Sequence, residues 1–453
     1  MMKQYEGFTW EQLIERKKAV EQKYEAFKKK NFNLDMSRGK PCVEQLNLSN
    51  DIFRQAAGMD FISEDGVDCR NYGLVDGISE MKRIFAQILD VSEEEIILGD
   101  SSSLSLMYGT IEKAFNHGLY NCEPWKKLEK IKFLCPSPGY DRHFAICELF
   151  GIEMITVPMK EDGPDMDMIE ELAAKDESIK GIWCTPIYSN PTGITYSDDV
   201  VRRFARMKTK ATDFKIFWDV AYIVHHLYDE GDKLLNILDE CKKAGNPDRV
   251  FIYVSTSKIS FPGAGVAAMA CSTDNARHLR KLISIQTIGP NKINHLLHAR
   301  YFKDLNGVKE HMRKHAEILR PKFELVNNIF EKNLGRLNIA KWTRPRGGYF
   351  ISLDVPAGCA KEIVAKAQEA GVKLTAAGAT FPYGKDPEDR NIRIAPTYPP
   401  AEELEQAMEI LCTCIELVVL EKIISNGKSI TISSCSPIFA ITPTPALVSE
   451  ESN

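Results

Sequence analysis

Phe251-Ile252-Tyr253-Val254-Ser255-Thr256-Ser257-Lys258 is the stretch on which the fold turns: an apolar, β-rich run that closes on hydroxyl residues and a lysine. The same pattern recurs upstream. Residues 182–184 lead into Pro186-Ile187-Tyr188-Ser189-Asn190-Pro191-Thr192-Gly193, and residues 215–217 lead into Trp218-Asp219-Val220-Ala221-Tyr222. A further apolar run covers 131–134, and helical patterns at 165–174 and 198–207 separate the runs. Strand–helix alternation predicts an α/β fold whose large domain has a mainly parallel sheet flanked by helices. Ligands on such sheets sit at the carboxyl ends of the strands, so the polar residues just past each run are the candidate site.

Further out, the pattern changes. Thr9 with Gln12 three residues on reads as a capping box opening a charged helix, with Leu13, Ile14, Val20, Tyr24 and Phe27 on its apolar side. A long helical region runs from 295 to about 333. Beyond it come a glycine-opened strand at 347–353, a helix at 360–370, strands at 372–375 and 391–394, and a helix at 401–422. This is a smaller α+β unit. The expected organisation is an N-terminal helix and segment joining the small domain (1–60), a large domain (61–325), a C-terminal small domain (326–424) and a Ser/Thr/Pro-rich tail (425–453) read as disordered.

Composition narrows the function. The 453 residues carry 58 Lys+Arg against 63 Asp+Glu, a net charge of −5. A nucleic-acid binder would show a basic excess, so the expected ligand is a small molecule. The 12 cysteines are scattered, with no CxxC pair and no zinc spacing, which argues against a metal and for reduced thiols in a cytoplasmic protein. The apolar stretch 411–424 contains Glu416, Glu421 and Lys422, too short and too charged for a bilayer span.

Asn-Pro-x-Gly from Asn190, Asp-x-x-Tyr from Asp219, Ser-x-Ser-Lys ending at Lys258 and a late Arg393 stand in the order seen in fold-type I pyridoxal 5′-phosphate (PLP) enzymes. The chain resembles the class I/II aminotransferases over roughly residues 35 to 422. Gly99-Asp100-Ser101-Ser102-Ser103-Leu104, the segment 135–144, the segment 257–266 and the segment 377–384 resemble the divergent bacterial aspartate aminotransferases related to MocR-type proteins. The resemblance implies a large PLP-binding domain, an active site shared across a homodimer, and L-aspartate and 2-oxoglutarate as amino acid and keto acid in a ping-pong reaction.

It also implies roles. Lys258 would form the Schiff base and move the α-proton, which requires an amine of lowered pKa. Asp219, just past apolar Phe217-Trp218, would keep the pyridine nitrogen protonated by charge pairing. Tyr222 and Asn190 would donate to the cofactor phenolate. Ser102, Ser103 and Ser255 would receive the phosphate at a helix N-terminus. Tyr140 would stack on the ring, and His143 would support Asp219. Tyr72 would reach the phosphate of the neighbouring subunit. Arg393 would take the substrate α-carboxylate with its planar fork, and Gly39 would add a backbone N–H.

The chain departs from the family pattern once. Many relatives carry an arginine on the phosphate eight residues after the lysine; here that position is Val266. The cation facing a substrate side-chain carboxylate stays open among Arg38, Lys40, Arg142, Lys292 and Arg300. An aminotransferase for another amino acid, or a PLP-dependent β-lyase or decarboxylase, would share Lys258 and Asp219. A PLP-sensing regulator would need a DNA-binding domain ahead of this fold, and the roughly 35 residues before Ser37 are too few for a winged helix.

Overall fold

Eight strands form one sheet in the computed structural model, which describes residues 4–426. From edge to edge they are Ile96–Leu98, Ala267–Cys271, Val250–Ser255, Lys215–Asp219, Ile179–Cys184, Lys132–Ser137, Glu153–Lys160 and Gly163–Pro164. The central strands pair in parallel, with Trp218 opposite Ile252 and Phe217 opposite Trp183. Ala267–Cys271 runs antiparallel to both of its neighbours, and Gly163–Pro164 is an antiparallel edge piece. Ala267–Cys271 reads Ala-Ala-Met-Ala-Cys, with no β-branched or aromatic residue, so strand propensity does not announce it. Glu153–Lys160 lies toward the other edge and is also absent from the expected strands.

Alternation along each strand sends side chains to two cores. Phe217, Phe251, Tyr253, Phe133 and Trp183 pack on one face with helices Ser103–Asn116 and Asp141–Leu149. Ile216, Trp218, Ile252 and Val254 pack on the other, with helices Ser79–Leu89 and Asp198–Arg206. Both faces are covered, as a parallel sheet requires.

The smaller unit has a three-stranded antiparallel sheet, Lys341–Trp342, Ile351–Asp354 and Asn391–Ile394. The strand expected at 347–353 starts only at Ile351, because Gly348 takes φ +80° and turns the chain against the loop holding His225. The N-terminal segment joins this unit: Leu34–Asp35 pairs in parallel with Val372–Lys373. Helix Trp10–Lys28 begins at the expected Thr9 capping box, and its Arg16 bonds Glu416 of helix Ala401–Asn426 in two places. The helical region expected as one run from 295 is two helices, Lys292–Phe302 and Leu305–Asn333. They break at Lys303, whose φ is +67°, and Asp304 caps the second. The tail expected to be disordered, 427 onward, lies outside the described residues.

Candidate active site

The carboxyl ends of the parallel strands converge on one cavity of about 490 Å³. Ser102, Ser103, Tyr140, Asn190, Asp219, Tyr222, Ser255, Lys258, Gly39 and Arg393 all line it. Tyr72 does not: its side chain is 79% exposed, away from the cavity of its own chain.

Asp219 ends the strand Lys215–Asp219 and is 2% exposed. Its Oδ1 accepts the Ala221 N–H at 3.1 Å, and its Oδ2 lies 3.2 Å from His143 Nε2. A carboxylate can only accept, so His143 presents Nε2–H to it. The imidazole is fixed from behind by Trp183, stacked at 4.4 Å and 10° between planes. Trp183 itself is pinned by Nε1–H to Cys147 Sγ at 3.2 Å.

Lys258 closes the short 3-10 turn Thr256–Lys258 that follows strand Val250–Ser255. Its Nζ lies 5.0 Å from the centre of the Tyr222 ring. Loss of hydration lowers the amine's pKa, and the Asp219 charge partly offsets this. Burial pushes the Tyr222 phenol well up, so it stays a neutral donor. Burial raises the Tyr140 phenol too, helped by the Asp219 charge.

Arg393 comes from the small sheet, paired opposite Ser352. Its Nη1 donates to Asp141 at 3.0 Å and to Asn190 at 3.3 Å, its Nη2 to Thr375 at 3.2 Å, and the Phe350 ring lies 5.0 Å away. Its buried Nε has no hydrogen-bond partner among the described residues. Gly39 sits over the same ring: a Cβ there would lie 2.4 Å from Phe350 Cζ.

At the other end, Ser102 caps helix Ser103–Asn116 by accepting the Leu104 N–H at 3.2 Å. Ser257 donates to the Ser101 carbonyl at 2.8 Å, so the 2.9 Å contact between Ser255 and Ser257 is donated by Ser255. Val266 is fully buried and its N–H binds Thr256 Oγ1 at 2.9 Å. Of the five candidate cations, Arg38 and Arg142 line the cavity. Lys40 instead stacks on Tyr398 at 3.8 Å, Arg300 binds Asp60 at 2.7 Å, and Lys292 is buried outside the cavity lining.

Sequence reading missed Asp141, Thr375 and Phe350 around Arg393, and Trp183 behind His143. None carries a local signal, since each acts through a partner distant in the chain. Ser257 was visible inside the Ser-x-Ser-Lys motif but had no role of its own.

Comparison with known proteins now decides the family. Residues 8–427 match the model of the aspartate amino-transferase family. The chain belongs to that family. An aspartate aminotransferase of Corynebacterium glutamicum is 47% identical over 403 residues, spanning 89% of this chain and 93% of the relative. The crystal structure of an aspartate transaminase from the same species superposes with a TM-score of 0.89 at 46% identity, covering 92% of this aminotransferase and 98% of that chain. The alpha-aminoadipate aminotransferase of Thermus thermophilus, at 20% identity and a TM-score of 0.70, shares the fold. The described part of the enzyme has no helix long and apolar enough to cross a membrane. Its eleven described cysteines are all free.

Proposed function

We propose that this protein is a PLP-dependent aminotransferase that moves the amino group of L-aspartate to 2-oxoglutarate by a ping-pong mechanism. The observation that carries the reading is the meeting, in one cavity, of Lys258, the buried Asp219–His143 pair and Arg393. The residues fit the cofactor. A buried carboxylate backed by an imidazole suits a cationic ring nitrogen, and Lys258 lines the same cavity with its amine 5.0 Å from the centre of the Tyr222 ring. Serine hydroxyls and a helix N-terminus suit a phosphate. When bound, PLP supplies an aldehyde for the lysine and a ring that withdraws electrons from the substrate α-carbon.

The protein's own groups do the rest. Asp219 holds a proton on the ring nitrogen through a buried ion pair, and His143 keeps the carboxylate aimed. Lys258, with its basicity reduced by burial, would be the base that takes the proton from the substrate α-carbon and the acid that hands the same proton to the cofactor side. Tyr222 and Asn190 would hold the phenolate by donating to it, and Tyr140 would hold the ring. Ser102, Ser103 and Ser255 would hold the phosphate. Arg393 receives the α-carboxylate, to which Gly39 adds its N–H. Asn190 and Thr375 hold the guanidinium plane meanwhile. The aspartate assignment draws on the Corynebacterium glutamicum relative.

The same reading makes the protein a cytoplasmic homodimer, with Tyr72 crossing to the partner's phosphate site and the domains divided near residues 60 and 325. An apolar groove of about 990 Å³ supports it. The groove is lined by Tyr108, Leu149 and Ile285, all exposed, and shares Leu104 and Arg142 with the active-site cavity. A second copy would cover such a surface. The test is a coupled assay with L-aspartate and 2-oxoglutarate on wild type and Lys258→Ala. Oxaloacetate formation that needs Lys258 and the keto acid supports the reading; alanine and carbon dioxide formed from aspartate without a keto acid would replace it with a PLP-dependent decarboxylase.

A further inference from the structure

Behind Lys258 lies a buried polar chain that the reaction scheme above leaves unused. The lysine's backbone carbonyl faces two donors: His225 Nε2 at 3.3 Å and Tyr349 Oη at 3.4 Å. A carbonyl can only accept, so His225 presents Nε2–H and Tyr349 presents its hydroxyl proton. Tyr349 Oη in turn lies 2.9 Å from Gln45 Nε2. The orientation of that amide is fixed, because Gln45 Oε1 accepts the Cys42 N–H at 3.1 Å. Its second amide proton goes to His315 Nδ1 at 2.9 Å. The chain therefore has one direction: Cys42 N–H to Gln45, Gln45 to Tyr349, Tyr349 to the carbonyl of Lys258.

The two ends of this chain matter. Cys42 lies three residues past Gly39, the last residue of the segment Ser37–Arg38–Gly39 that lines the cavity. Tyr349 belongs to the small unit, and is seated there by the two glycines before it. A Cβ on Gly347 would lie 2.5 Å from the His225 carbonyl oxygen, and Gly348 donates its N–H to that same oxygen at 2.9 Å. Helix Leu305–Asn333 holds the next carbonyl, with His311 Nε2 2.9 Å from Ile259 O. Three parts of the chain distant in sequence thus grip the backbone of one short turn.

We propose that Tyr349 and His225 clamp the backbone carbonyl of Lys258, and that Gln45 ties this clamp to the N-terminal segment lining the cavity, so that seating a substrate there sets the position of the lysine. Both contacts to the carbonyl are at the long end of hydrogen-bonding range, which leaves the clamp room to tighten. Tyr349, His225 and Gln45 are positioning residues; none touches the reacting atoms. The inference rests on Lys258 as the cofactor-bearing lysine.

The test uses the PLP-loaded full chain, with Tyr349→Phe, His225→Leu and His225→Gln, whose amide can stand in for Nε2–H. His298→Gln is the control: His298 is equally buried, but binds Ser260 at 2.7 Å and Asn294 O at 2.8 Å rather than the lysine carbonyl. For Tyr349→Phe and His225→Leu we expect kcat to fall roughly fivefold with the amino-acid KM within about twofold, the loss of one hydrogen bond made to a moving part. The pH midpoint of the cofactor's visible band should shift in both, and His225→Gln should restore it. His298→Gln should lower only the thermal midpoint. Unchanged kcat and band midpoint in both Tyr349→Phe and His225→Leu, or the same changes in His298→Gln, would overturn the clamp. A wild type that takes up PLP with no visible band would remove Lys258 from its role, and the clamp with it.

Discussion

Replacing Gly39 by alanine adds one methyl group, and the structure says where it lands. The new Cβ would lie 2.4 Å from Phe350 Cζ and 2.6 Å from Cε1. Carbon atoms rest about 3.5–4.0 Å apart, so the ring or the segment must move by roughly 1 Å. Phe350 is 5% exposed and cannot swing into solvent. Its ring lies 5.0 Å from the Arg393 guanidinium and packs edge-on to Tyr222 at 6.3 Å. The displacement therefore reaches either Arg393 or the Gly39 N–H, both assigned to the substrate α-carboxylate. A misplacement of about 1 Å costs on the order of 100-fold in rate. We expect kcat/KM for L-aspartate to fall about 30- to 100-fold in steady-state assays of Gly39→Ala, with the cofactor's visible band intact. The half-buried segment can give way, so the thermal midpoint should drop by less than about 3 °C. A Gly39→Ala enzyme within twofold of wild type in kcat/KM would refute the placement of Gly39 and Phe350 at the carboxylate.

Three further outcomes follow from the same geometry. Arg393→Lys keeps the charge but cannot span Asp141, Asn190 and Thr375 with one ammonium group; kcat/KM should fall about 100-fold, mostly in KM, with cofactor uptake unchanged. His143→Leu strips the imidazole from Asp219 and should weaken PLP binding about tenfold in a fluorescence titration, whereas His143→Gln, able to reach the carboxylate, should lose much less. Burial holds His295, His298 and His311 down to about 4 and His315 to about 3, so the folded protein keeps them neutral while the unfolded chain protonates them near 6.5. Their stabilisation is complete above about pH 6.5 and is lost as pH falls toward 4, each contributing about 1.4 kcal/mol per pH unit at most. Thermal melts between pH 7.5 and 5 should fall steeply, and His298→Gln should flatten the curve.

What could be read from the chain alone has a physical pattern. Asp219 and Lys258 each follow a β-rich run, so local alternation was enough to place them at strand ends. Arg393 was legible through its family resemblance, but the Asp141 that binds it was not, because the pair is 252 residues apart. Ala267–Cys271 escaped because a buried antiparallel strand made mostly of alanine has no period-2 signal. The break at Lys303 escaped because a lysine in the left-handed region carries no sequence mark, unlike glycine. The five candidate cations could be narrowed only by knowing that Lys40 stacks on Tyr398 and Arg300 binds Asp60. The polar chain behind Lys258 is scattered over residues 42, 45, 225, 315 and 349, and only folding brings it together.

In the proposed function, Lys258, Asp219 and Arg393 make one amino-group-transfer site for a dicarboxylic amino acid. The visible absorption spectrum of the purified PLP-loaded protein tests it most directly, recorded before and after L-aspartate and again after 2-oxoglutarate, with Lys258→Ala alongside. The cofactor band should disappear with aspartate, return with 2-oxoglutarate, and be altered from the start in Lys258→Ala. A wild-type band that ignores aspartate, or one that Lys258→Ala reproduces in full, would contradict it.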